Sequence, residues 1–268
     1  MKKYDDLKEL KNLANNFYEK VFEANSYFEI VKQFEEMNSK FNDEMRISSF
    51  FYSYTRNAMV VATIMETSKL YDKSSQSINI KKFIDICYDQ KHQFPKQNQI
   101  SYKHEGIDYL DKRPFRHSVL PEEMEFFQKD YDNRDALEVL FTNAGNPLTV
   151  VMTIERYFDL FRWKYKRLES KIEYLLKQRN KIYAHNDENK IFKIDEIMNK
   201  YPLHYNDVEA ILSFSYEFIN FVIAMLTGIN KPIRPINFQD WENTLHLVKV
   251  GLKHEALEYE KELGFDQD

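Results

Sequence analysis

Arg179 and His185 are the residues whose types and spacing could do chemistry. They stand six positions apart in the run RNKIYAHND (179–187), and the polar Asn180 follows the arginine directly. A histidine titrates near neutral pH and can take or give a proton while a phosphodiester is cleaved. An arginine grips phosphate oxygens and stabilises the charge that develops on them. On RNA the 2′-hydroxyl is a built-in nucleophile, so such a pair needs no metal. A plainer reading is a capping or surface histidine beside an arginine paired within the fold. The short motif by itself leaves both readings open.

The arginine also breaks a pattern. Phe161, Tyr165, Leu168, Ile172, Leu175, Arg179 and Ile182 recur at spacings of 4, 3, 4, 3, 4 and 3. That is a helical seam, and at ~100° per residue Arg179 falls near the middle of it. A guanidinium in a packed seam is costly unless it is paired, hydrated in a cleft or bound to an anion. The helix is expected from about Leu148 to Tyr183 or just beyond. Residues 156–181 hold nine Lys/Arg and three acids, so this stretch carries +6 while the rest of the chain carries −11. Lys164, Arg167 and Lys171 share one helical face, and Lys177 and Lys181 flank the arginine. These five are the candidate RNA-binding residues, a local basic stripe in an acidic chain. An ordinary solvated face gives the same pattern.

Around this helix the chain reads as all-α. It has 5 Gly and 7 Pro in 268 residues, with neither in 1–94 nor in 148–201. All-β sandwiches and barrels need frequent Gly/Pro turns, and the Rossmann and P-loop nucleotide cradles need glycine clusters. Both classes are excluded by this scarcity. A first helix is expected over about Asp5–Asn38. A second, over about Phe41–Tyr71, is apolar on more than one side at 59–65 and so is expected to be central. A short helix around Ile78–Tyr88 follows. Residues 91–121 hold four Gly/Pro and no sustained period, which reads as an irregular insertion, either a solvated loop or a substrate-contacting flap. Helix resumes at Pro121 and stops near Asn143–Pro147. Asn206 with Glu209 resembles a capping pair opening a helix that Gly228 closes after Thr227. A last helix starts near Asn237. The organisation expected is one helical domain over 1–268, with 229–268 as a C-terminal extension.

Other candidate sites fall away. The single cysteine, Cys87, excludes an intrachain disulfide, and it reads as a buried small residue rather than a nucleophile. Cys87, His92, His104 and His117 lack compact zinc spacing. His254-Glu255 lacks the second histidine of a zinc-protease helix. Asp43 with Glu44, and Asp207 with Glu209, read as helix-start acids. No metal or cofactor is expected. The start lacks the apolar core of a signal peptide, and Ile211–Thr227 reads as a buried helix rather than a membrane span, so a cytoplasmic protein is expected.

The run from Arg179 to His185 resembles the Arg, polar residue, four to six positions, His motif of HEPN domains. The blocks METSKLYDKSSQSINIKKFIDI (65–86), QRNKIYAHND (178–187) and YPLHYNDVEAILSF (201–214) make the likeness specific to the AbiU-type abortive-infection branch, over about Arg56 to Phe221. The resemblance implies a HEPN-like helical bundle that forms a homodimer with two motif copies facing a shared cleft. It implies metal-independent RNA cleavage to a 2′,3′-cyclic phosphate and a 5′-hydroxyl, in phage defence or a toxin-like system. Arg179 would bind and polarise the phosphate, Asn180 would orient the pair and His185 would be the general acid or base. An antitoxin or a neighbouring defence protein would be a further partner. Some HEPN toxins carry a modified tyrosine two residues past the histidine; Asp187 stands there, which argues against that mode of control. The alternative is a non-catalytic HEPN dimer that binds RNA, a nucleotide or another protein.

Overall fold

The computed structural model of the chain describes residues 6–74, 76–104, 107–131, 149–183, 194–234 and 240–262. Among these residues the protein is all-α apart from four short strands. The helices are α1 (Leu7–Lys40), α2 (Asn42–Arg46), α3 (Ser49–Lys69), α4 (Ile80–Asp89), α5 (Met124–Tyr131), α6 (Ile154–Gln178), α7 (Ile194–Lys200), α8 (Tyr205–Thr227) and α9 (Asp240–Glu262). The chain forms two compact units interleaved in sequence. One takes Met1–Phe17, Tyr71–Glu173 and Glu217–Lys231; the other takes Tyr18–Leu70, Tyr174–Tyr216 and Pro232–Asp268. Thus α1, α6 and α8 each contribute residues to both.

Residues 91–121 are not irregular, contrary to expectation. Strand β1 (Asn98–His104) pairs antiparallel with β2 (Ile107–Arg113), in a register from Asn98 opposite Arg113 to His104 opposite Ile107. Strand β3 (Phe115–Ser118) pairs with β4 (Thr149–Met152), Phe115 opposite Met152. The missed signal is a short period of two: Ile100 and Tyr102 are separated by Ser101, and Ile107 and Tyr109 by Asp108. The β4 segment displaces the expected start of the long helix. Val150 and Val151 favour extended backbone, and Thr153 then opens α6 by accepting the Arg156 N–H at 3.2 Å.

In the first unit aromatic rings fill the core. Phe17 stacks on Phe83 at 5.0 Å, and Phe83 and Phe161 both meet Phe218 edge-on. Helix α4 is aimed by Asn79, whose side chain accepts the Lys82 N–H and donates to the Asp72 carbonyl, each at 2.9 Å. In the second unit, Phe34, Met37, Phe41, Met45 and Leu245 form a cluster joined by Trp241. The buried stripe of α1 includes the fully buried Ala14 and Ala24 among larger residues, small side chains that allow close approach.

Two helix expectations change. The second long helix is interrupted at Ile47–Ser48 into α2 and α3, and its apolar stretch 59–65 is not central: Thr63 and Ile64 are buried while Val61 is 38% exposed. The second apolar side arises because one face of α3 packs and the other meets solvent. Helix α8 opens two residues earlier than the Asn206 reading required. Asp207 reaches back to accept the His204 N–H at 2.9 Å, so His204 is the cap. Gly228, at φ +74, ends α8 as expected, with its N–H on the Ala224 carbonyl. Of the described helices, α8 is long and apolar enough to cross a membrane. Its Ile211, Phe218 and Val222 are fully buried in the protein.

Candidate functional site

Regular α-helix in α6 stops at Gln178, and Arg179–Tyr183 continue as a single π turn. Such wide turns are uncommon and cluster at functional sites. The turn changes how the seam ends. Near its end Leu175 is buried, as is the neighbouring Gln178, while Arg179 is only half-buried.

Within the second unit the turn is braced from several directions. It packs against α3 and α7. Gln178, 3% exposed, donates from Nε2 to the Tyr201 carbonyl at 2.7 Å. The Tyr174 and Tyr201 rings meet edge-to-face at 5.9 Å, and the Lys181 ammonium lies 5.1 Å from the centre of the Tyr201 ring. Tyr201 therefore anchors the turn by its backbone and its ring. Arg179 Nε donates to the Asn180 side-chain oxygen at 2.9 Å. This bond fixes the plane of the guanidinium and orients the amide. His185 lies outside the described residues.

The five basic residues do not act as one stripe. Lys164 is only 13% exposed at its side chain, with Nζ 2.7 Å from Glu123 Oε1 and 2.6 Å from Glu217 Oε1. Glu123 is fully buried, takes the His117 Nε2–H at 2.7 Å and takes the Leu120 N–H at 2.9 Å. Burial alone would raise the Glu123 carboxyl; the bonds to His117, Lys164 and Leu120 instead bring it down to about 2. Burial would lower Lys164, but the two carboxylates hold it above its ordinary value. Lys164 is thus a buried cation that ties α6 to β3, the turn before α5 and α8 in the first unit. Arg167 pairs with Glu125 and lies over the Trp163 ring. Lys171 and Lys177 are half-exposed, as is Lys181 on the π turn.

A family comparison adds to this geometry. The HEPN family described as AbiU2 matches residues 7–244. The chain belongs to the AbiU2 family of HEPN proteins. No curated protein and no solved structure gives a match. The AbiU2 match runs beyond the Arg56–Phe221 likeness to take in α1, α2 and the start of α9.

Sequence reasoning passed over the residues that hold this AbiU2 motif in place. Gln178 and Tyr201 stand at the first positions of two of the resemblance blocks, and the hydrogen bond between them links those blocks in space. Arg56 and Tyr205 form a second link: Arg56 donates to Glu35 from Nε at 3.0 Å and to the Tyr205 hydroxyl at 2.7 Å. Arg56 also borders a cavity of about 270 Å³ in the second unit, lined by Phe34, Asn38, Asn42, Arg46 and Tyr52 among others.

Proposed function

We propose that this AbiU2 protein is a metal-independent endoribonuclease that acts in bacterial phage defence or toxin-like abortive infection. The observation that carries the reading is the Arg179–Asn180 pair on a braced π turn, within a family-matched Arg-polar-x4-His motif. Arg179 is the group for the scissile phosphate, and Asn180 orients its guanidinium. His185 is the general acid or base. The 2′-oxygen attacks phosphorus as its proton leaves, and the 5′-oxygen departs with a proton, leaving a 2′,3′-cyclic phosphate and a 5′-hydroxyl. Two chains facing each other would form the cleft. With Lys164 and Arg167 engaged by carboxylates, the RNA contacts would fall chiefly to Lys177, Arg179 and Lys181.

The same engagement favours a second reading, a non-catalytic module that binds RNA, a nucleotide or another protein. One experiment separates the two. Purified protein is incubated with structured and single-stranded RNA in excess chelator, beside His185→Ala. The expected result is cleavage by wild type, 2′,3′-cyclic phosphate ends and no cleavage by the variant. Tight RNA binding without cutting across many substrates sinks the enzyme reading.

A further inference from the structure

The chain bends twice, seven residues apart, where neither glycine nor proline stands. Phe41 (φ −133°, ψ 39°) separates α1 from α2, and Ser48 (φ −128°, ψ 44°) separates α2 from α3; neither side chain caps the helix it precedes. The cavity of about 270 Å³ lies at these two bends, wholly within the second unit. Asn38 comes from the end of α1, Asn42 and Arg46 from the two ends of α2, and Ser49 and Ser53 from the first turns of α3. The bends therefore wrap three helices around one concave space. Its apolar wall is Phe34, Met45 and Tyr52, and the Phe34 and Tyr52 rings stand edge-on with centres 6.4 Å apart. An aromatic wall with a few convergent polar groups is the usual form of a small-molecule site.

Charge and size narrow the ligand. Arg56 is already engaged by Glu35 and the Tyr205 hydroxyl, and Glu35 itself borders the cavity, so these two charges offset each other. Arg46 is exposed, and among the described residues none pairs with its guanidinium. One guanidinium is thus left to meet one negative charge, and Glu35 disfavours a second. A dry cavity of about 150 Å³ holds one benzene. By the same measure about 270 Å³ holds a six-membered ring with roughly four or five further atoms. A nucleotide has about twice that many atoms and would extend well outside.

We propose that this cavity is a binding site for a small hydroxylated aromatic monocarboxylate. The ring lies against Phe34, Met45 and Tyr52, where edge and sulfur contacts with an aromatic are favourable. The carboxylate takes paired N–H bonds from Arg46. Asn38, Asn42, Ser49 and Ser53 supply donors and acceptors for the ring hydroxyl. None of the cavity's described lining residues belongs to the Arg179 motif, so the site stands apart from the proposed ribonuclease centre. Helix α3 begins at this cavity and also packs against the π turn, so ligand and motif share one element.

The test is isothermal titration of the full chain, without RNA, with the three monohydroxybenzoates in turn. At least one should bind saturably, one ligand per chain. Its methyl ester keeps the ring and loses the charge, and should bind about 10- to 100-fold more weakly, the worth of a charge-assisted hydrogen bond. Arg46→Gln should weaken the acid by the same factor and leave the ester unchanged, a pattern that loss of the fold does not give. Lys253→Gln, at an exposed cation of α9, should change neither. The proposal is overturned if none of the three acids binds saturably, if the ester binds as well as the acid, or if Arg46→Gln binds the acid as well as wild type. Adenosine monophosphate that displaces the acid and binds more tightly also overturns it. Every arm is read without cleavage, so failure here leaves the ribonuclease reading standing, and a chain that cuts no RNA leaves this one standing.

Discussion

Lys164 and Arg179 are cations on one helix, held in contrasting ways. Lys164 sits on regular helix with both neighbouring carboxylates, Glu123 and Glu217, within 2.7 Å. Arg179 sits half-buried where the helix widens, with its Nε on the neutral Asn180 amide. The first arrangement consumes the charge in joining elements of the first unit. The second aims a planar donor group from a turn that its neighbours hold still. Positive charge on a helix is therefore a poor guide to ligand contact. The partners around it and the backbone beneath it separate a staple from a candidate site.

The largest effect should come from breaking the staple. Lys164→Met leaves the buried Glu123 carboxylate without its cation, and loss of one partner of a buried pair costs about 3–5 kcal/mol. Urea unfolding should show that loss; an unchanged midpoint would mean the cluster is not structural. Next in size is the turn. Arg179→Ala should lower kcat/KM on RNA by roughly 10²–10³-fold, the usual effect of removing a donor to a developing oxyanion. Its unfolding midpoint should stay near wild type, and this contrast with Lys164→Met is the comparison in its sharpest form. The smallest is an acid effect. Glu123 is held at about 2, below its ordinary 4.5, so its share of stability is present above pH ~4.5 and is lost as pH falls toward 2. Glu123→Gln should cost about 1–3 kcal/mol at neutral pH and flatten the loss of stability between pH 4.5 and 2. A variant with the wild-type acid slope would assign that slope to other carboxylates.

The helices were legible because helix packing writes a 3–4 period into the chain, and α1, α4, α6 and α8 follow it. The strands were hidden by brevity: seven residues of alternation among prolines resemble a loop. The break at Ile47–Ser48 was hidden because both flanking segments keep a helical pattern. The motif was legible through Arg179, Asn180 and His185, with His185 outside the described residues. Its supports were not, since Gln178 and Tyr201 are 23 positions apart and their link is a backbone carbonyl, which carries no residue signature.

The sequence by itself determined the class of the protein, its AbiU-type likeness and the residues of the motif, because composition, periodicity and spacing are properties of the chain. The tertiary structure decided which cations are engaged inside the fold, and that Phe50, Phe51 and Tyr54 of α3 are exposed while Ile64 is buried. Both depend on partners brought together from distant segments. Glu123 and Glu217 lie 41 and 53 positions from Lys164, and no local pattern announces that they meet it.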